Sequence, residues 1–95
     1  MAVYIVSDIE VKDPDEYQRY AKQVPPTLEK YGGKFLVRGG QPESLEGSWQ
    51  TKRIVIIEFP GEEQAKAWYN SPEYSAIIGI RHGASNGRLL LVHGA

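Results

Sequence analysis

Glu58-Phe59-Pro60-Gly61, followed by Ala65 and then by Trp68-Tyr69-Asn70-Ser71-Pro72-Glu73-Tyr74, is the stretch that decides the fold. It reads as the end of a buried strand, a helix start, an aromatic pair, a helix break and a second helix start. Ser71 suits a helix cap, because its hydroxyl can accept from a free backbone N–H. Pro72 suits the first helical position, where no backbone donor is needed.

Upstream of this stretch, a strand is expected from about Lys52 to Phe59, and an earlier one from Lys34 to Arg38. Gly39-Gly40-Gln41-Pro42 opens the loop between them, which runs to about Trp49. The residues from Ala2 to Val11 are rich in Val, Ile and Tyr and follow strand chemistry. Asp13-Pro14-Asp15-Glu16 then starts a helix, and Tyr17, Tyr20, Ala21, Val24 and Leu28 follow at helical spacing. Pro25-Pro26 should break or kink that helix, and Gly32-Gly33 should end the element. Downstream, the helix after Ser71 carries Tyr74, Ile77, Ile78 and Arg81 on one side and is expected to end at Gly83. Ala84-Ser85-Asn86-Gly87 reads as a turn into a last strand, Arg88 to His93. The order is βαββαβ with the second crossover split in two. This is an α+β, ferredoxin-like pattern: a four-stranded antiparallel sheet with helices on one face.

Alternation shows that both sheet faces are apolar. Ile54 and Ile56 point one way, while Val55, Ile57 and Phe59 point the other. Leu90 and Val92 oppose Leu89 and Leu91, and Val3, Ile5 and Ile9 oppose Tyr4 and Val6. A sheet with one wet face alternates apolar with polar, and this one does not. The helices cover one face only, so a second copy of the chain is the economical cover for the other. A homodimer with a barrel-like interior is the expectation; the competing reading is a monomer with one apolar open face.

The bulk composition excludes several classes. Ninety-five residues make a single small domain, residues 1–95, with no linker, repeat or low-complexity tract. A net charge of -1 from 11 basic and 12 acidic residues is not that of a nucleic-acid binder. The aromatics that an RNA-recognition sheet displays on its central strands are also missing. There is no cysteine, no His-x-His, no His-Glu-x-x-His and no carboxylate cluster, so no metal and no cofactor are expected. The glycine pairs Gly32-Gly33 and Gly39-Gly40 open no helix and so make no phosphate cradle. The start of the chain lacks a basic segment and soon meets Asp8 and Glu10, and no apolar run approaches a membrane span. A soluble cytoplasmic protein is expected.

The chain resembles the domain-of-unknown-function family 1330, within the dimeric α+β barrel superfamily. The resemblance rests on Tyr4, Asp13-Pro14 with Tyr17 and Tyr20, Gly32 through Gly40, Glu46-Gly47 and Arg53 through Pro60. It continues through Ala65, the run Trp68 through Tyr74, and Arg81. It implies the fold and the dimer. Similar barrels include cofactor-free oxygenases, haem-degrading enzymes and muconolactone-type isomerases, and any such activity would come to this chain by fold analogy alone. Gly61 departs from the pattern where a Ser cap is expected.

Two sets of residues are candidates for chemistry. Arg38, ending its strand beside Gly39-Gly40, suits bidentate binding of a carboxylate; the structural alternative is a pair with Asp8 or Glu46. Trp68, Tyr69 and Tyr74 are candidate walls of a ligand pocket, against ordinary core packing. Arg81 is a second candidate charge, although a cation also suits the end of a helix. For catalysis the candidate bases are Glu58, set in an apolar strand, and His82; the structural alternative for Glu58 is an ion pair or a strand-end place near solvent. The leading expectation is a pocket between sheet and helices for a small anionic or aromatic molecule. The alternatives are a non-catalytic interaction dimer and, by fold analogy, a cofactor-free oxygenase or isomerase.

Overall fold

Strands β1 (Val3–Val11) and β3 (Ile54–Phe59) are apolar on both faces, and they form the centre of a four-stranded sheet. The computed structural model describes residues 1–95. β2 (Lys34–Gly40) lies outside β3, β4 (Ser85–His93) lies outside β1, and all three pairings are antiparallel. The helices α1 (Pro14–Ala21), α2 (Val24–Glu29), α3 (Glu62–Tyr69) and α4 (Pro72–Ala84) supply the cover for one face. This is the expected ferredoxin-like architecture. None of the helices is long and apolar enough to cross a membrane.

The start signals act as read. Asp13 accepts a hydrogen bond from the Glu16 N–H at 3.2 Å, and Ser71 accepts one from the Tyr74 N–H at 3.0 Å. Ser71 also donates to the Trp68 carbonyl at 2.7 Å, so one hydroxyl joins the end of α3 to the start of α4. Pro25 and Pro26 divide the first crossover into two helices rather than kinking one. They fall in the first turn of α2, where their missing donors cost nothing.

Two boundaries differ from the sequence expectation. α4 runs through Gly83 to Ala84, and β4 begins directly at Ser85. The expected turn is replaced by a sharp change of backbone at Ser85, whose hydroxyl donates to the Arg81 carbonyl at 2.7 Å. The Ala84 carbonyl accepts from the Lys12 and Asp13 N–H groups, so the chain end of α4 is tied to β1 and needs no loop. Asn86 and Gly87 therefore sit in the strand opposite Glu10 and Ile9. The strand expected from Lys52 starts only at Ile54, and β2 extends to Gly40.

The β2–β3 register carries two irregularities, one between Phe35 and Val37 and one between Arg38 and Gly40, and the first matters later. Phe35 pairs with Ile57, but the next pair is Val37 with Ile56, leaving Leu36 as an extra residue. Such a bulge shifts the alternation of the residues that follow it, here Val37 and Arg38 before the second irregularity. Without it, Arg38 would share a face with Leu36 and Lys34. With it, Arg38 pairs with Val55 and joins the helix-covered face.

Under the helices, Phe59, Trp68 and Tyr74 are all essentially fully buried and packed ring to ring. The centroids are 5.5 Å apart for Phe59–Trp68 and 4.2 Å for Trp68–Tyr74. The Trp68 indole N–H donates to Thr27 Oγ1 at 2.9 Å, and Thr27 donates in turn to the Val24 carbonyl. One side chain thus links β3, α2 and α4. Truncating it, Trp68→Ala, is expected to cost about 3–5 kcal/mol of stability by leaving a cavity and orphaning Thr27. Urea denaturation followed by far-UV circular dichroism would measure the loss.

Candidate functional site

Beyond the bulge, the inner face of the sheet is built in rows. Arg38, Val55, Ser7 and Leu89 form one row, read off the strand pairings. In the next inward row, Ile9 takes the Arg53 carbonyl on one side through its own N–H and faces Gly87 on the other. The inner face at this end of the sheet is therefore set with Arg38 and Arg53. Arg81, on the last turn of α4, closes the space from above. These three arginines, with Tyr17 and Tyr20 of α1 and Tyr74 of α4, line a cavity of about 40 Å³ between sheet and helices.

Glycines make room for the guanidinium groups. At Gly87 any side chain would meet Arg81 Nη1 at 2.8 Å and Ile9 Cδ1 at 2.7 Å. At Gly39, whose φ is +77°, it would overlap the Arg53 guanidinium outright. Arg38 lies over the Phe35 ring at 4.5 Å and Arg53 over the Tyr17 ring at 5.2 Å, both within cation–π range.

None of the three arginines has a carboxylate partner, although Arg38 is itself exposed to water and Arg53 is half-buried. No carboxylate lines the cavity. The chain's other two arginines, Arg19 and Arg88, are exposed and paired with Glu16 and Asp8, whereas Arg38, Arg53 and Arg81 join no ion pair. Arg81 is only 5% exposed. The Nε atoms of Arg53 and Arg81 are buried without a hydrogen-bond partner. A buried charge left without a partner costs several kcal/mol.

The phenols add a neutral donor. Tyr20 and Tyr74 hydrogen-bond to each other, oxygen to oxygen, at 2.7 Å in the buried interior. Burial pushes both hydroxyls above the ordinary phenol range, Tyr20 the further, and the Arg81 charge offsets only part of that. They stay protonated at neutral pH. One O–H is used within the pair and the other remains free to donate to a bound group.

The sequence candidates fall into three groups. Arg38, Arg81, Trp68 and Tyr74 are brought together at the cavity. Trp68 contributes as core, however, with its N–H already satisfied. Tyr69 and His82 lie apart from the cavity, along an open groove with Ser85, Asn86 and Gly87. Arg81 separates the two spaces, and its Nη2 lies 3.3 Å from His82 Nε2. Glu58 projects from the opposite face of the sheet, where it pairs with Lys34 at 3.1 Å. It is the ion pair that the sequence left as an alternative, and it has no path to the cavity. Arg38 pairs with neither Asp8 nor Glu46. Asp8 faces the other side of the sheet, where the Thr51 hydroxyl and Arg88 hold its carboxyl below the usual range.

Arg53, Tyr17 and Tyr20 were missed as site residues. Arg53 stands inside the quoted run from Arg53 to Pro60, yet an arginine before a strand gives no sign of its direction. Tyr17 and Tyr20 read as core because their spacing is that of an apolar stripe.

The buried phenol pair has a measurable consequence. Tyrosines of the unfolded chain ionise near pH 10, whereas these two ionise only above it. The unfolded state thus loses protons first. Stability from the pair is intact below about pH 10 and falls above it, by up to roughly 1.4 kcal/mol per pH unit for each phenol. Denaturation midpoints taken on either side of that pH are expected to fall steeply for the wild type and less steeply for Tyr20→Phe/Tyr74→Phe.

No curated protein matches the sequence. Among solved structures, the protein RPA0582 of unknown function from Rhodopseudomonas palustris superposes with a TM-score of 0.82 at 18% identity. That match covers 99% of this chain and 82% of the other. A dimeric ferredoxin-like protein of unknown function from Jannaschia sp. CCS1 gives 0.77 at 11% identity, covering 99% and 100%. SnoaB, a cofactor-independent oxygenase from Streptomyces nogalater, gives 0.68 at 12% identity, covering 99% and 93%. At these identities the likeness is one of fold. The model of the domain of unknown function DUF1330 matches residues 2–95, and the chain belongs to that family.

Proposed function

We propose that this protein is a homodimeric small-molecule-binding protein that takes an anion into the cavity between sheet and helices. The observation that carries the anion is the set of three arginines, Arg38, Arg53 and Arg81, around a space with no carboxylate. Guanidinium groups are planar donor forks suited to carboxylate and phosphate oxygens, and a bound anion would supply the partner that Nε of Arg53 and Arg81 lacks.

The dimer rests on the other face of the sheet. Leu36, Leu90 and Val92 are exposed there, at 50%, 65% and 42%, beside the half-buried Tyr4, Val6, Ile54 and Ile56. A contiguous apolar face of this kind marks an interaction surface. Dimeric proteins among the structural neighbours, such as the one from Jannaschia, support a second copy as its occupant. In such a dimer the cavity stays on the outer, helix-covered side of each protomer, so its arginines do not find their counter-charges in the partner sheet.

Binding takes precedence over catalysis in this reading because the cavity has no base. Glu58 is on the wrong face, His82 reaches only the outer edge of Arg81, and the two phenols are held neutral. A cofactor-free oxygenase or isomerase would have to draw its reactivity from the substrate.

Two measurements test the proposal. Native mass spectrometry is expected to show a dimer that Leu36→Glu/Leu90→Glu converts to a folded monomer; a wild-type monomer would refute the interface. Thermal unfolding at matched ionic strength is expected to shift upward in phosphate relative to chloride, with the shift lost in Arg53→Gln. An unchanged wild-type midpoint across a panel of phosphate and carboxylate salts would refute the anion site.

A further inference from the structure

The cavity is more selective than a general anion site. We infer that its ligand is a compact dianion, with two negative charges on a small oxygen-rich group: a phosphate monoester head or a short dicarboxylate. The inference rests on the anion-binding reading above and narrows it by charge count, by size and by what the aromatic rings already do.

Charge comes first. Three guanidinium groups face one space, and one of them, Arg81, is more than nine-tenths buried with an unpartnered Nε. A single carboxylate can accept from more than one guanidinium, but its one charge balances only one of the three. A group with two charges and several acceptor oxygens can engage Arg38 and Arg53 from the sheet and Arg81 from α4 together. The free phenolic O–H of the Tyr20–Tyr74 pair gives a further donor.

Size points the same way. An enclosed water needs on the order of 10–15 Å³, so about 40 Å³ holds roughly three water-sized groups. A phosphate group comes nearer to that size than a benzene ring or a pair of carboxylates linked by one carbon, which are of similar bulk to each other.

The rings around the cavity are also occupied. Arg38 covers Phe35 and Arg53 covers Tyr17. Trp68 is sandwiched in the stack of Phe59 and Tyr74, and Tyr20 packs against Tyr17 and Tyr74. The ring faces that Arg38 and Arg53 cover are not open to a stacked ligand. Of the two ligand classes the sequence suggested, anionic and aromatic, the geometry points to the anionic one.

The test is calorimetric titration of the whole protein with inorganic phosphate, malonate, acetate and benzoate at one ionic strength, near pH 8, where phosphate is a dianion. Phosphate or malonate is expected to bind at least about tenfold more tightly than acetate and benzoate. That preference should shrink in Arg53→Gln and in Arg38→Gln, with folding checked by circular dichroism. Preference for phosphate over malonate would identify a phosphoryl head, and the reverse a dicarboxylate; either supports the inference. Acetate or benzoate binding as tightly as the dianions would overturn the two-charge inference while leaving the anion site standing. Absence of binding by all four would overturn both.

Discussion

A sheet that is apolar on both faces needs two covers, and a chain of this length supplies only one. The arrangement of the molecule follows from that constraint. β1 and β3 can sit at the centre because Val3, Ile5, Ile57 and Phe59 face the helices while Tyr4, Val6, Ile54 and Ile56 face away. All four helices are spent on the first set, which leaves the second for the proposed partner copy. The division also separates roles. Charged residues that find partners on the open face, Glu58 with Lys34 and Asp8 with Arg88, do so at the edges of that surface. The three arginines without a carboxylate partner are on the helix side.

The bulge at Leu36 connects the two halves of this arrangement. It places an exposed leucine toward the open face and, by shifting the alternation, turns Arg38 inward. A regular β2 would put Arg38 on the face where carboxylates occur, and the cavity would lose one of its three cations. Gly39 and Gly87 are part of the same design, since each occupies a position where a side chain would displace a guanidinium. Bulges commonly re-aim side chains at functional sites. Here the re-aimed side chain is the one whose charge has no structural use.

How much of this was legible in the sequence depended on whether the signal was local. Strand alternation and the caps Asp13 and Ser71 depend on neighbours a few residues away, and they placed the elements and the order βαββαβ correctly. The end of α4 was misplaced because Gly83 and Ala84-Ser85-Asn86-Gly87 look like a turn. What holds the helix open to Ala84 is its bond to Lys12 and Asp13, more than seventy residues earlier. The site was half legible for the same reason. Arg38, Arg81 and Tyr74 stood out by type and position, but the direction of Arg38 depends on a pairing irregularity invisible along the chain. Arg53 gave no signal, and Tyr17 and Tyr20 were hidden in a stripe that explains them equally well as core. Glu58 misled in the other direction: surrounded by apolar neighbours in sequence, it meets Lys34 across the strand.

Arginine is the residue that makes a cluster of unpaired cations of this kind tolerable. Its flat guanidinium can lie on an aromatic face, as Arg38 does on Phe35 and Arg53 on Tyr17, and it is less strongly hydrated than an ammonium. Such contacts are worth about 0.5–2 kcal/mol each. Removing a charge from water without an anion costs several kcal/mol, so the rings offset part of the penalty and not all of it. Arg81 has the weakest compensation, with a phenol pair beside it, a histidine at its edge and the carbonyl end of α4 behind it. It is also the most deeply buried of the three. The residual cost is therefore concentrated at the cavity wall, where a bound oxyanion would remove it, and the imbalance that costs the protein stability would strengthen its hold on the proposed anion.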